Sequence, residues 1–391
     1  MKYALKEKRY KMRKAKYKNA PVFFNGIGII SPAGDSPDEF FQSLNRSERK
    51  NSYFFYNDQE ISAQIYNFDS YKSNPENYFL DVCCKAIYAA IDDSGVDLME
   101  EESCVVLGTG MGISDMLLRN LVDGDFMSEL SNKIQCRLQN DLGLILKVFI
   151  MSNACCASAQ AIGFAKDLLN TNQYNYVIAG GIEIFSYLTY SGFKRLNSLD
   201  IEGCRPFDRE RRGISVGDGA VFFVMSRECM GKTKCFLAGY AVTNDAFHIV
   251  RSNVDGMCIG IAIKKAIRRA AIRPSDIKGV IAHGTGTLLN DSVESSVLYQ
   301  LFGEIDVTAP KGVTGHTGGA SGAFGVLTAI YSLKHQCLPP VANLKNIDDS
   351  IGIKPVKGKK REKKMEYILV NSIAFGGTNI ALVCGKKYDS L

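Results

Sequence analysis

With 391 residues, 46% of them apolar and 23% charged, the chain has the composition of a soluble globular protein that can bury one large core or two ordinary domains. No apolar run reaches the roughly 18–20 residues a membrane span needs, and the N-terminal segment lacks the apolar stretch of a secretory signal. Net charge is +6, yet residues 1–20 carry nine Lys/Arg and one Glu, which leaves the body at −2.

In chain order the pattern alternates strand and helix. Residues 22–30 (VFFNGIGII) predict a strand, and Ser36-Pro37 with Asp38 and Glu39 predicts a helix start. A helix over 79–93 leads to a strand over 103–108 and a Gly-rich turn, Gly108-Thr109-Gly110-Met111-Gly112. The stretch 147–163, KVFIMSNACCASAQAIG, is the pivot: an apolar β-leaning run, a sharp turn, then small residues at helical spacing. A thiol in the first turn of a helix meets unpaired N–H groups that favour thiolate, so a lowered pKa is expected there. The same residues also fit two small buried cysteines filling a strand–helix junction. Strands over 175–181 and 219–226 close the first half.

After Lys232 a similar series restarts: a strand over 235–242, a helix over 257–271, a strand over 277–282 and a helix near 291–302. A Gly-rich turn, a helix over 322–335 and strands over 366–373 and 379–385 complete it. Matching order in the two halves suggests an internal duplication of βαβ-rich layers. The expected division is a basic, disordered extension over 1–20, a first half over 21–231 and a second over 232–391. A second basic run, Lys354 to Lys364 (KPVKGKKREKK), reads as an exposed loop.

Twelve cysteines without a CxxC ladder suggest reduced thiols in a cytosol, and no zinc-ligand spacing is present. Two of the four histidines, His283 and His316, stand in Gly/Thr-rich loops at strand ends, where α/β proteins bind substrates. With a helix-terminal cysteine they favour a site.

Six pieces carry a resemblance: ACCASAQAIG from Ala154, VIAGGIE over 177–183, RPFDRERRGISVGDGA over 205–220, HGTGT from His283, KGVTGH over 311–316 and FGGTN from Phe375. In this order and spacing the set resembles the condensing enzymes of the β-ketoacyl-acyl carrier protein synthase family, of the elongating kind found in fatty acid and polyketide synthesis. The resemblance spans nearly the whole body. It implies an α/β, thiolase-like fold, with two pseudo-symmetric halves in a five-layer αβαβα arrangement, usually dimeric and cytoplasmic. The implied reaction is decarboxylative condensation of an acyl thioester with malonyl-acyl carrier protein, an acyltransferase activity.

By position, Cys155 matches the acyl-accepting nucleophile and Cys156 inert packing. His283 and His316 match the catalytic histidines and Lys311 the lysine supporting them. Thr285 and Thr287 match the hydroxyls that bind the carrier's phosphopantetheine arm, and Met111 a wall of the acyl pocket. Phe375 matches the gating residue, its N–H forming the oxyanion site with that of Cys155. No metal and no cofactor is implied, the substrates riding on the phosphopantetheine of acyl carrier protein. The family often carries Glu where this chain has Gly325, which leaves the partner of Lys311 open.

The carrier is acidic, so basic patches are expected to dock it. Lys264, Lys265, Arg268 and Arg269 form one candidate and Arg209, Arg211 and Arg212 another. Two further readings stand beside the enzyme: a weakly active partner subunit of a heterodimeric polyketide-type system, and a nucleic-acid or membrane-surface binder acting through the basic tail. The enzyme reading implies a homodimer or ketosynthase heterodimer, no nucleic acid and no integral membrane association.

Overall fold

Runs of apolar residues without alternation form strands buried on both faces. In the computed structural model, which describes residues 20–49, 51–56, 59–99, 101–113, 126–230, 232 and 234–387, these runs become one mixed sheet of eleven strands. Its first half contains β1 (Val22–Ile30), β2 (Ser103–Gly108), β3 (Lys147–Met151), β4 (Tyr176–Glu183) and β5 (Gly219–Ser226). The second contains β6 (Cys235–Asn244), β7 (Ile277–Ile281), β8 (Asp306–Thr308), the two-residue edge β9 (Lys354–Pro355), β10 (Tyr367–Ile373) and β11 (Thr378–Lys386).

The spatial order is β9-β8-β7-β10-β11-β6-β1-β5-β4-β2-β3. Leaving out the edge β9, each half therefore repeats one arrangement, its third, second, fourth, fifth and first strands side by side. The fifth strand runs antiparallel to its neighbours in both halves. Within the sheet the halves are joined by Val22–Leu237 and Phe23–Phe236, between β1 and β6.

Two helices fill the space between the halves. α2 (Ala157–Asn170) follows β3, and α6 (Ser321–His335) occupies the equivalent place in the second half. Every residue of α6 from Ser321 to Leu333 is buried, as a helix in a central layer requires. Small residues let the pair approach: Ala323 N–H donates to Ser158 Oγ at 3.0 Å, and a Cβ on Gly322 would lie 2.6 Å from Ala159 N. On the outer faces, α1 (Pro75–Ser94) covers the first half, and α4 (Met257–Arg269) with α5 (Leu288–Phe302) covers the second. The result is the five-layer αβαβα stack of the thiolase-like fold, with its largest apolar cluster around α2 and α6.

Ser36 caps a helix at Pro37 as its sequence predicts. The hairpin Ser52–Tyr56 and Gln59–Gln64, the helix Phe126–Leu142 and α3 (Tyr187–Arg195) are elements the sequence pattern did not yield. Of the basic extension, only Ala20 falls among the described residues.

Candidate active site

Cys155 sits in the turn between β3 and α2, within a short 3-10 segment, Ala154–Cys156. Ala154 takes φ of +42°, a conformation uncommon for a residue with a side chain, and this turns the chain sharply into the helix. The Cys155 thiol accepts hydrogen bonds from its own N–H and from the N–H of Phe375. Two backbone donors thus converge on one sulfur. Contrary to the lowered value expected from its helix position, burial pushes the thiol up to about 11; Lys311 and the two N–H groups act in the opposite sense, and Glu183 adds to the burial. Cys156 is fully buried, contacts the Thr378 carbonyl and lines neither cavity described below.

His283 lies at the end of β7 and His316 just before α6, and their rings stand edge to face with centroids 5.6 Å apart. Each presents Nδ1 to a donor. Lys311 Nζ is 3.2 Å from His283 Nδ1 and donates to the His283 carbonyl at 2.6 Å. Gly318 N–H donates to His316 Nδ1 at 3.2 Å, with Ser321 Oγ at 3.1 Å. An Nδ1 that accepts leaves the proton of a neutral imidazole on Nε2. Burial and the Lys311 charge hold both imidazoles well below their ordinary pKa, so both are neutral donors at neutral pH.

The His283 loop is built by two carboxylates of α5 that sequence reasoning did not single out. Glu294 accepts from His283 N at 2.8 Å and Gly284 N at 2.9 Å, and Asp291 from Thr285 N at 3.0 Å. Gly286 needs no side chain there: φ is +75°, and a Cβ would lie 2.8 Å from the Gly213 carbonyl. A third such carboxylate, Glu183 at the end of β4, accepts from Gly110 N (2.7 Å), Met111 N (3.2 Å) and Gly319 N (2.6 Å). It ties the Met111 turn to the start of α6. The only trace of these residues in the sequence is an acid placed just beyond a glycine-rich strand end.

The open partner of Lys311 is now identified. A Cβ on Gly325 would lie 2.9 Å from Val370 Cγ1, so Gly325 packs against β10 and leaves no room for a carboxylate. Lys311 is held by His283 instead; burial lowers its pKa, and the nearby Cys155 and Glu294 act in the opposite sense.

Two cavities meet at Cys155. One, of about 440 Å³, has almost wholly apolar walls that include Met111, Ile184, Leu188, Phe193 and Val216. The other, of about 290 Å³, is lined by His283, Thr285, Thr287, Asn290, His248 and Arg251. Thr285 Oγ1 and Thr287 Oγ1 are 2.9 Å apart in its wall. Cys155, His316, Phe193 and Phe375 border both, and Phe375 and Phe193 pack with ring centroids 5.7 Å apart. Phe375, 39% exposed, stands at the partition where a gate would be.

The basic candidates divide. Lys264, Lys265, Arg268 and Arg269 are exposed on α4, although Arg269 also donates to the Tyr240 carbonyl at the end of the helix away from the mouth. Arg212 is exposed, and Arg209 is exposed but paired with Asp349. Arg211 has to be withdrawn as a docking residue. It is 3% exposed and donates to Asp348 Oδ2 at 2.6 Å and Ser292 Oγ at 3.1 Å. Arg251, which the sequence did not single out, is exposed at the polar mouth itself.

Known proteins resemble the chain in both of its halves. The model of the β-ketoacyl synthase N-terminal domain matches residues 19–229, and that of the C-terminal domain matches residues 234–345. The chain is 33% identical over 249 residues to the 3-oxoacyl-[acyl-carrier-protein] synthase 2 of Mycobacterium bovis, a match spanning 60% of each chain. With the Coxiella burnetii protein of the same name it shares 26% identity, over 94% of this chain and 99% of that one. Its fold superimposes on the ishigamide ketosynthase/chain length factor with a TM-score of 0.82 at 23% identity, covering 95% of this chain and 100% of that one. The chain belongs to the β-ketoacyl synthase family.

Proposed function

We propose that the protein is a ketosynthase that condenses an acyl thioester with malonyl-acyl carrier protein, in fatty acid or polyketide synthesis. The observation that carries this reading is the convergence of two Nε2–H imidazoles and two backbone N–H donors on the cavities that meet at Cys155.

An acyl group arrives on a carrier thioester. Cys155 sulfur bonds the carbonyl carbon, the carrier sulfur leaves, and the cysteine proton ends on the departing thiol. The N–H groups of Cys155 and Phe375 receive the tetrahedral oxyanion. The acyl chain then lies in the apolar cavity beside Met111. Malonyl carrier enters through the polar cavity, its arm against Thr285 and Thr287, and its C–C bond breaks to release CO2. The electron pair becomes an enolate whose oxygen accepts from His283 and His316. The enolate carbon attacks the acyl carbon, Cys155 leaves as thiolate and is reprotonated, and a β-ketoacyl carrier departs. Lys311 orients His283, and Arg251 meets the phosphodiester of the arm.

No step calls on a metal or a cofactor. The reading places the enzyme in the cytoplasm and makes it a dimer, a homodimer or a ketosynthase heterodimer. Retention of a cysteine between two catalytic cavities favours the active subunit over a silent partner. Incubation with acyl and malonyl carriers should give an acyl mass on Cys155, followed by β-ketoacyl carrier. His283→Ala and His316→Ala should each lower malonyl decarboxylation about 10²–10³-fold while acylation suffers less. Normal decarboxylation in both variants would refute the reading.

A further inference from the structure

The condensation site makes no use of the basic run Lys354–Lys364. In the fold this run starts as the outermost strand β9 and returns to the start of β10, the end of that strand away from the site. β10 begins at Tyr367 beside the run and ends at Ile373 beside Phe375. Seven residues of strand at about 3.3 Å each place the two ends about 20 Å apart. A carrier docked at the Lys363–Lys364 end of the run would therefore not face the cavity mouth.

Separate elements bring further lysines to this end. Lys386 N–H donates to the Glu366 carbonyl at 3.2 Å, and Lys387 N–H to the Lys234 carbonyl at 2.9 Å. Lys363 N–H donates to the Gln336 carbonyl at 2.9 Å, which joins the run to the end of α6. There the imidazole of His335 is lowered by burial and by the charges of Lys334, Lys360 and Lys386, against Asp38. Part of the run is paired: Arg361 and Lys363 share Asp306, at 3.4 and 2.7 Å, Lys354 meets Glu304 and Lys360 meets Glu362. The outer side is not. Lys357, Lys359, Lys364 and Lys387 are exposed, and among the described residues no carboxylate pairs with them. Lys357 and Lys359 flank Gly358, whose φ of +75° and open surroundings make this the tip of the loop.

We propose that this end of the molecule is a peripheral docking surface for anionic lipid headgroups. The free cations are all lysine, a compact point charge suited to a diffuse negative surface, and the run's one arginine is committed to Asp306. Base recognition in single strands uses aromatic platforms, and no aromatic residue stands in 354–364 or at 386–387. The body beyond residue 20 carries a net −2, so this concentration of positive charge is a local feature rather than the surplus of a basic protein. Residues 1–19, with nine Lys/Arg and one Glu, join the body at Ala20, whose carbonyl Lys166 holds beside Leu237, three residues along the chain from Lys234.

The full chain should co-sediment with phosphatidylcholine vesicles that contain phosphatidylglycerol, not with phosphatidylcholine alone, and salt should release it. Lys357→Glu/Lys359→Glu should weaken vesicle binding at least tenfold, since each basic residue near an anionic surface contributes measurably. Lys72→Glu/Lys85→Glu, an equal charge change on exposed residues elsewhere, should change it less than twofold. Condensation by the loop variant should be unaltered. Failure of the full chain to bind, or equal binding by the loop variant, would overturn the proposal. So would binding lost on deletion of residues 1–19 but untouched by the loop variant, or tighter binding of a DNA oligonucleotide than of the anionic vesicles.

Discussion

Lys311 Nζ lies 3.2 Å from His283 Nδ1 and 2.6 Å from the His283 carbonyl oxygen, in a site where both residues are buried. One ammonium thereby fixes the ring's proton on Nε2 and anchors the loop that carries it. Lys311→Met should lower malonyl decarboxylation about 10–100-fold, the range seen when an orienting partner is lost. Acylation of Cys155 should change much less. Because the change leaves the His283 carbonyl and the buried Glu294 without the ammonium, the melting temperature should fall as well. Acylation lost in parallel with decarboxylation would show that Lys311 is only a structural support.

The thiol of Cys155, pushed up to about 11, is protonated at neutral pH. Alkylation by iodoacetamide should therefore rise about tenfold per pH unit from pH 7 to 10, following the thiolate fraction. Peptide mapping should place the label on Cys155. Cys155→Ala should abolish labelling and Cys156→Ala should retain it, since Cys156 is enclosed in the core. A rate that levels off below pH 8 would show a thiolate already formed, as the helix position alone suggested.

That contrast shows where the sequence is legible. The turn between β3 and α2 follows from local pattern, because an apolar run, a break and small residues at helical spacing are neighbours in the chain. The burial that raises the thiol's pKa, and the groups that modulate it, Lys311, Glu183 and Phe375, come from segments far away in sequence. β5 matches its predicted bounds because all eight of its residues are buried and read as one apolar run. The helix Phe126–Leu142 escaped notice because its inward positions, Leu130, Ile134 and Leu138, are diluted by polar residues. Glu183, Asp291 and Glu294 look like surface acids until the backbone N–H groups they satisfy are brought to them.

Glu294 offers one test of that scaffold. Both its oxygens accept backbone N–H groups of the His283 loop, and Asn371 donates to Oε1 at 2.7 Å. Glu294→Gln turns one acceptor into a donor facing an N–H. The expected cost is about 1–3 kcal/mol in denaturant unfolding, with reduced decarboxylation. Unchanged stability would mean that the loop holds without the carboxylate.

Met111 borders the apolar cavity of about 440 Å³, and its N–H is fixed by Glu183. Met111→Phe adds volume to a wall whose backbone cannot retreat. The longest acyl group loaded onto Cys155 should become shorter, as read by intact-protein mass after incubation with acyl carriers of graded length. An unchanged profile would place the chain end elsewhere.

Arg251 and the α4 lysines separate two ways of recognising the carrier. Arg251 stands exposed in the polar cavity that leads to Cys155, among the described residues without an ion pair. An arginine there can take the arm's phosphodiester through two N–H groups. Lys264 and Lys265 lie outside the cavity on α4, where they can meet only the carrier's own acidic surface. Arg251→Ala should therefore raise KM for both carrier-bound and free phosphopantetheine thioesters, leaving an unphosphorylated pantetheine thioester unaffected. Lys264→Glu/Lys265→Glu should raise KM for the carrier-bound substrate alone, by slowing association, and added salt should shrink the difference. If Arg251→Ala weakens all three substrates equally, the arginine shapes the loop rather than holding the phosphate. If the lysine variant weakens the free arm as much as the carrier, docking through α4 is excluded.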